Sequence, residues 1–253
     1  MPRSARIMSA TGIYHIMLRG INKQTIFEDD EDKEKFMQTL SHYKVICGYD
    51  LYAYCLMNNH VHLLLKTKKQ SLETIMKRIG ASYVYWYNSK YGRIGHLFQD
   101  RFKSEPVEDD AYFLTVLRYI HQNPLKAGLV IDIADYKWSS YNDYVTDTNI
   151  CDTDFAHSLL NIEKSKAKEL FIQYSKKPIN DKCLDIEEKI KITDVIARAI
   201  INNRCRVRNP INLQKFSVEQ RNMLLHVLKE QDRLSIRQIE RLTGINRGLV
   251  QKA

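Results

Sequence analysis

A predicted β-hairpin constrains the fold of this chain more than any other stretch. Two apolar runs, at 49–57 and 60–66, are separated by only two asparagines, and such short polar connections join antiparallel strands in a tight turn. His60 and His62 lie two positions apart in the second run, so both side chains point to the same face of the strand. The sequence therefore predicts two imidazoles side by side on one face of a sheet. The alternate apolar residues point into the core from the other face: Val61, Leu63 and Leu65.

The order of the elements around this hairpin predicts the fold class. A strand at 12–21 is followed by a helix that opens in acidic residues and stops at Gly48. After the hairpin come a second helix over about 71–89, a short extended run FKSEPV, and a third helix that Pro124 stops. This order is that of a ferredoxin-like sheet. We expect an α+β fold, with an antiparallel sheet covered by helices on one face and open to a ligand on the other.

The chain changes character after about residue 145, where lysine-rich and charged segments begin. We expect three regions. Residues 1–148 form the sheet domain, residues 149–210 form a charged helical linker, and residues 211–253 form an all-α module.

The last forty or so residues contain two helix-start signals around a glycine turn. Ser217 precedes Gln220, and Ser235 precedes Gln238, at the spacing of a capping box. A turn at Gly244 then leads into a last helix. This arrangement is typical of a DNA-binding helix-turn-helix, although an ordinary helical hairpin has the same pattern. Basic residues decorate the segment and favour the DNA-binding interpretation: Arg237, Arg241, Arg247 and Lys252.

The charge of the chain restricts the partners it can have. It carries 39 Lys and Arg against 30 Asp and Glu, a net charge of +9, which favours nucleic acid or a membrane surface. An ordinary soluble protein could have the same balance. No apolar segment is long enough to span a bilayer, and neither a secretory signal nor an amphipathic anchor stands out. The five cysteines show no CxxC spacing, so we expect reduced thiols and no zinc ribbon, in the cytoplasm.

The histidine pair and a later helix together suggest a metal-dependent site. Neutral imidazole is a common metal ligand, and two on one strand are held close together, but a His-x-His pair also arises by chance. On the third helix, Tyr119 and Asn123 lie four residues apart and so share one flank. A tyrosine with an amide oxygen one turn later could place a nucleophile beside a metal. Tyr119 could equally be a half-buried core tyrosine, and His121 points roughly 200° away from it.

Four stretches together resemble the REP-associated tyrosine transposases, which belong to the IS200-like single-tyrosine group of HUH enzymes. They are YHIMLRGIN, YCLMNNHVHLLL, GRIGHLFQDRFKS and LRYIHQNPLKAGLV, and they span about residues 14–144. The resemblance implies that 1–148 is a catalytic domain of a prokaryotic, DNA-associated protein. The sequence departs from the family at Asn58, where proline often stands, and we expect this to alter the turn and not the metal site.

The resemblance also implies the site and the chemistry. His60 and His62 would bind a divalent metal, Mg²⁺ or Mn²⁺, with Asn123 as third ligand. Tyr119 would attack a phosphodiester of single-stranded, hairpin-forming DNA and leave a 5′-phosphotyrosine and a free 3′-OH. Since an unperturbed tyrosine titrates near pH ~10, it needs activation, for which His121 and Lys126 are candidates.

Other functions stay open at this point. A domesticated relative could keep the fold as a non-catalytic nucleic-acid-binding regulator, and a two-histidine phosphoesterase would use water in place of Tyr119. The presence of all four residues, His60, His62, Tyr119 and Asn123, favours the enzyme. The sequence does not name the DNA target, or decide whether one chain or a homodimer builds the site.

Aromatic and basic residues alternate along the end of the second predicted helix and the segment after it, a composition that suits single-stranded DNA because bases stack on rings and cations follow phosphates. The alternative is that Tyr83 and Trp86 belong to the core and the basic residues are solvated. His15 shares a face with Arg19 and would lie either beside the metal or in a hydrogen bond within the sheet. The candidate DNA-binding residues are Arg19, Asn22, Arg93, Arg101, Lys103, Arg237 and Arg247.

Overall fold

A computed structural model describes most of the chain. Its contacts divide into two units, Met1–Ile186 and Glu187–Ala253, which are treated separately below. The described residues are 6–146, 150–178, 183–184, 194–232 and 234–253.

The first unit is built on a four-stranded antiparallel sheet in the order β2-β3-β1-β4. This is the ferredoxin-like arrangement that the sequence predicts. The turn at 58–59 joins β2 to β3, so the predicted hairpin is confirmed. The strands are β1 (Ile13–Arg19), β2 (Asp50–Met57), β3 (His60–Lys66) and β4 (Lys103–Val107).

Two helices cover one face of this sheet. They are α1 (Asp30–Cys47) and α2 (Leu72–Lys90). Asp29 caps α1 through a reciprocal capping box, and Gly48 ends it in the left-handed conformation at φ 64°, where glycine has no steric cost. The core beneath these helices takes its strand residues from alternate positions, as expected: Tyr14, Ile16, Leu18, Val61, Leu63 and Leu65.

A third helix, α3 (Asp110–Lys126), packs on the opposite face. The expectation of helices on one face only is therefore wrong. The physical reason lies in the strands, because the face that carries the histidines also contains apolar residues that must be buried. Ile13, Leu64 and Val107 form a core there with the inward stripe of α3. The polar residues of the site consequently lie under a helix and not on an open surface.

The third helix does not stop at Pro124, as the sequence had suggested, but continues to Lys126. A proline inside a helix cannot donate a hydrogen bond to the carbonyl four residues earlier, here that of Ile120. The side-chain amide of Asn123 lies within reach of that carbonyl, at 3.5 Å, and donates at 2.9 Å to the carbonyl of Tyr119. These contacts offset the missing backbone hydrogen bond and let the helix continue for two residues beyond Pro124.

Part of the predicted linker belongs to the first unit. Residues that follow the sheet form α4 (Tyr141–Thr146), α5 (Asp154–Leu160) and α6 (Lys164–Ser175). Phe171 is 1% exposed, stacks on Tyr144 at 4.6 Å between ring centroids, and lies in the same core as α3. The functional division of the chain at 148 and 210 stays a prediction.

The second unit is helical and has its own core. Its helices are α7 (Asp194–Cys205), α8 (Val218–Glu230), α9 (Ile236–Thr243) and α10 (Arg247–Lys252). Ser217 and Ser235 cap α8 and α9 as the sequence predicts, and Gly244 ends α9 at φ 70°. Whether α9 and α10 act as a DNA-binding helix-turn-helix stays a prediction. No helix in the described ranges is both long and apolar enough to cross a membrane.

The integration of α6 into the first unit can be tested by core truncation. Phe171→Ala should lower the free energy of unfolding by about 3–5 kcal/mol, since it removes a fully buried ring. Urea titration followed by tryptophan fluorescence reports on this unit, because both tryptophans, Trp86 and Trp138, lie in it. Ile162→Ala, at a fully exposed site nearby, is the control and should change stability little. An equally small effect of Phe171→Ala would mean that α6 is not part of this core.

Candidate active site

The strand register brings the predicted site residues together. On β1 and β3, Arg19 lies opposite His60 and Met17 lies opposite His62. On β4, Glu105 lies opposite His15. Directly opposed residues of an antiparallel sheet share a face, so the histidines of two strands and the glutamate of a third lie together beneath α3.

His15 and His62 are hydrogen-bonded to each other. The Nε2 atom of His15 lies 3.0 Å from the Nδ1 atom of His62, and both side chains are fully buried. Burial lowers the pKa of His15 to about 3. Burial, and then the neighbouring His15, His60 and Lys126, lower the pKa of His62 well below its ordinary value. Both imidazoles are therefore neutral at neutral pH, which is the form that binds metals.

Each histidine of the predicted ligand pair has its Nδ1 atom engaged by a neighbour. His60 Nδ1 lies 2.7 Å from Asn59 Oδ1, and His62 Nδ1 bonds to His15. The two rings are nearly perpendicular, with centroids 5.1 Å apart. His62 Nε2 is buried and has no hydrogen-bond partner among the described residues. Since buried nitrogens normally have partners, this atom is suited to a ligand.

Tyr119 reaches the same place from the helix above. Its ring lies edge-on to both His15 and His62, with centroids 5.7 Å apart in each case, and it is 2% exposed. Lys126 lies about two helical turns later, and its Nζ atom stands 4.3 Å above the Tyr119 ring centroid. The structure thus brings Tyr119, Lys126 and the histidines into one cluster.

The residues present fit a divalent metal. His60 and His62 offer imidazole nitrogens, and Asn123, one turn after Tyr119, is buried with its amide nitrogen donating to the helix backbone. That donation leaves the amide oxygen of Asn123 as its coordinating atom. Nitrogen and carbonyl oxygen ligands with water are compatible with Mn²⁺ or Mg²⁺. The described residues contain no cluster of three or more His, Cys, Asp or Glu that could hold a metal. The ligand roles stay predictions.

His121 does not join this cluster. Its Nε2 atom lies 2.8 Å from the Ser140 hydroxyl, and its ring packs edge-on against Tyr144 and Phe171. This agrees with its helical phase, which turns it away from Tyr119.

Glu105 is the residue that sequence reasoning missed. The period-two alternation of β4, in which Lys103, Glu105 and Val107 share a face, could have found it.

The candidate DNA-binding residues of the two units lie in different settings. Arg19 and Lys103 are on the same sheet face as the histidines. Arg93 donates to Gln24 at 3.2 Å and lies over the Tyr87 ring. Four others are exposed, and their roles stay predictions. They are Asn22, Arg101, Arg237 and Arg247.

Comparison with known proteins shows which family the part of the chain that carries this site resembles. The family described as "Transposase IS200 like" matches residues 9–123, a range that contains β1 to β4, both histidines of the pair, Tyr119 and Asn123. This region is therefore similar in sequence to the IS200-like transposases.

The relatives narrow the class further. A Haemophilus influenzae protein, named provisionally as a REP-associated tyrosine transposase, is 27% identical over 125 residues, which are 45% of this chain and 68% of the relative. A solved structure of a REP-associated tyrosine transposase bound to a REP hairpin shares the fold, with a TM-score of 0.50 and 16% identity. The aligned region covers 57% of this chain and 86% of the chain in that structure. The resemblance to REP-associated tyrosine transposases, which are DNA-processing enzymes, is thus confirmed.

The buried histidines make stability depend on pH. Burial lowers the pKa of His121 to about 3, below the value of about 6.5 expected in the unfolded chain. As the pH falls below about 6.5, the unfolded chain therefore binds the proton first, and stability is lost. Between pH 7 and pH 5 this loss is about 2 kcal/mol for one such histidine.

His121→Asn should reduce the loss of unfolding free energy between pH 7 and pH 5 by about 2 kcal/mol, measured by urea titration at both pH values. His96→Asn, at an exposed histidine, is the control and should behave as the wild type. If His121→Asn lost as much stability as the wild type, His121 would already be protonated in the folded state at pH 5.

Proposed function

We propose that the chain is a metal-dependent transposase that cleaves and rejoins single-stranded, hairpin-forming DNA through a 5′-phosphotyrosine. The observation that carries this proposal is the position of Tyr119, whose ring lies 5.7 Å from the rings of two buried, neutral histidines. A tyrosine that only filled the core would not need two buried, neutral histidines beside its ring. The family of residues 9–123 supports the assignment.

Tyr119 would be the nucleophile. Its oxygen attacks the scissile phosphorus, the bond to the 3′ oxygen breaks, and the phosphate stays attached to tyrosine while the DNA keeps a free 3′-OH. The new phosphodiester retains the energy of the old one, so the 3′-OH of the same or another strand can attack it and release Tyr119. No nucleotide cofactor is needed for resealing.

The chain supplies groups for both the phenol and the phosphate. Lys126 places its cation over the Tyr119 ring, where it favours the phenolate that forms as the proton leaves. His60, His62 and Asn123 would hold Mn²⁺ or Mg²⁺. The metal, when bound, supplies positive charge to the scissile phosphate. Because Tyr119 is 2% exposed, the phosphate reaches its hydroxyl only when Tyr119 or the α3 segment above the sheet moves.

Hairpin DNA is the proposed partner. The structural relative is bound to a REP hairpin, and the net charge of +9 suits an anionic ligand. Arg19 and Lys103 share the sheet face of the histidines and could contact the DNA backbone. A non-catalytic regulator would have no need for Tyr119, Asn123 and the histidine pair together, and so is disfavoured.

Tyr119→Phe should abolish the covalent protein–DNA adduct, because it removes the attacking oxygen, and should leave hairpin binding unchanged. The measurement is a denaturing gel after incubation with labelled single-stranded hairpins and Mn²⁺, with EDTA in a parallel lane. Tyr85→Phe, at an exposed tyrosine, is the matched control and should form the adduct normally. Cleavage that persists in Tyr119→Phe without an adduct would instead indicate a phosphoesterase that uses water.

His60→Ala should weaken Mn²⁺ binding by on the order of 100-fold or more, since loss of even an outer partner costs about 10–100-fold. Isothermal titration calorimetry of the full chain measures this directly. His96→Ala removes an exposed histidine and should bind Mn²⁺ as the wild type does. Equal affinity in His60→Ala would exclude His60 from the metal site.

A further inference from the structure

Three side chains from three strands form a line beneath α3. Glu105 Oε2 lies 3.9 Å from His15 Nδ1, and His15 Nε2 lies 3.0 Å from His62 Nδ1. The line ends at His62 Nε2, which is buried and has no hydrogen-bond partner in the part of the chain that the structure describes. The first contact is electrostatic at this distance and the second is a hydrogen bond, so the position of the hydrogen on His15 constrains that on His62.

Only one placement of the imidazole hydrogens is favourable at both contacts, that of Glu105 with His15 and that of His15 with His62. A neutral imidazole carries hydrogen on one nitrogen and a lone pair on the other. If His15 carried its hydrogen on Nε2 and donated to His62, its bare Nδ1 would face the Glu105 carboxylate, lone pair against negative charge. With the hydrogen on His15 Nδ1, the carboxylate is attracted, and His15 Nε2 accepts from the Nδ1–H of His62. His62 then presents a bare Nε2.

Glu105 is held in place by groups outside the sheet. The backbone N–H of Leu184 donates to Glu105 Oε2 at 3.0 Å, and Tyr112 forms a side-chain hydrogen bond with the same carboxyl group. The side chain of Glu105 is 35% exposed, so it is in contact with solvent. A carboxylate anchored in this way is a fixed negative charge at the end of the line.

We propose that Glu105 and His15 are positioning residues that set the tautomer of His62, so that its Nε2 lone pair faces the site. This inference rests on the proposed function in so far as the lone pair is to bind a metal. Carboxylate–histidine–metal chains orient ligands in this way, and here a second imidazole lies between the carboxylate and the ligand. The competing interpretation is that His15 only fills the core and satisfies one hydrogen bond.

The tautomer can be read without any metal. In full-length protein labelled with ¹⁵N-histidine, two-dimensional ¹H–¹⁵N correlation through the ring protons distinguishes protonated from bare nitrogens. For His62 we expect hydrogen on Nδ1 and none on Nε2, and for His15 hydrogen on Nδ1. Hydrogen on Nε2 of His62 in the wild type would overturn the proposal. In Glu105→Gln, the Nε2–H form of His62 should become measurable, and an unchanged spectrum would remove Glu105 from the line.

Metal affinity provides the second readout. His15→Leu should weaken Mn²⁺ binding about 10–100-fold, as loss of an outer partner does. His15→Gln, whose side-chain oxygen can accept from His62 Nδ1–H, should keep most of the affinity. His121→Leu removes an equally buried imidazole that bonds to Ser140, and is the control for loss of packing. Equal losses in His15→Leu, His15→Gln and His121→Leu would indicate a packing role only and would overturn the proposal.

The two readouts separate this inference from the proposed function. If the wild type bound no Mn²⁺ but His62 showed a bare Nε2, the metal site would fail and the positioning role would stand. If Mn²⁺ bound tightly while His62 carried hydrogen on Nε2 in the metal-free protein, the metal site would stand and the positioning role would fail. Because the wild-type spectrum decides the tautomer, the test does not depend on whether His15→Leu folds.

Discussion

The pairing register of β1 against β3 is the constraint on which the site depends. It sets Met17 opposite His62 and Arg19 opposite His60, and it brings His15 within hydrogen-bond distance of His62 on the diagonal. A slip of one residue would turn every one of these side chains to the opposite face of the sheet. The apolar residues that alternate with the histidines prevent the slip, since they would lose their core beneath α1 and α2.

Burial of this polar cluster has a cost that its contacts offset. His15 and His62 are fully buried, and polar groups removed from water are stable only when they are hydrogen-bonded. The bond between the two imidazoles meets part of that requirement, and Glu105 lies 3.9 Å from His15 Nδ1, beyond hydrogen-bond distance. Among the described residues, His15 Nδ1 and His62 Nε2 are left without a hydrogen-bond partner. Unsatisfied groups of this kind are expected at functional sites.

The end of α3 combines structural and chemical roles. Pro124 removes a backbone hydrogen bond, and the Asn123 amide compensates by donating to carbonyls of the preceding turn. The same donation orients the amide oxygen, and the two helical residues beyond Pro124 place Lys126 above the Tyr119 ring. A helix that ended before Pro124, as proline would ordinarily predict, would have no cation at this position. A local rule of helix termination is thus overridden by one neighbouring side chain.

Periodicity and turn chemistry were enough to predict the hairpin, the order of strands and helices along the chain, Gly48 as the end of α1 and the shared face of His60 and His62, because those properties depend on residues close in sequence. The motifs along about 14–144 led to the family. Other features needed the tertiary structure: α3 on the histidine face, the partnership of His15 with His62, and Glu105. They depend on residues far apart in the chain, and His15 and His62 are 47 positions apart. Only the register of three strands and the packing of a helix across them bring such residues together.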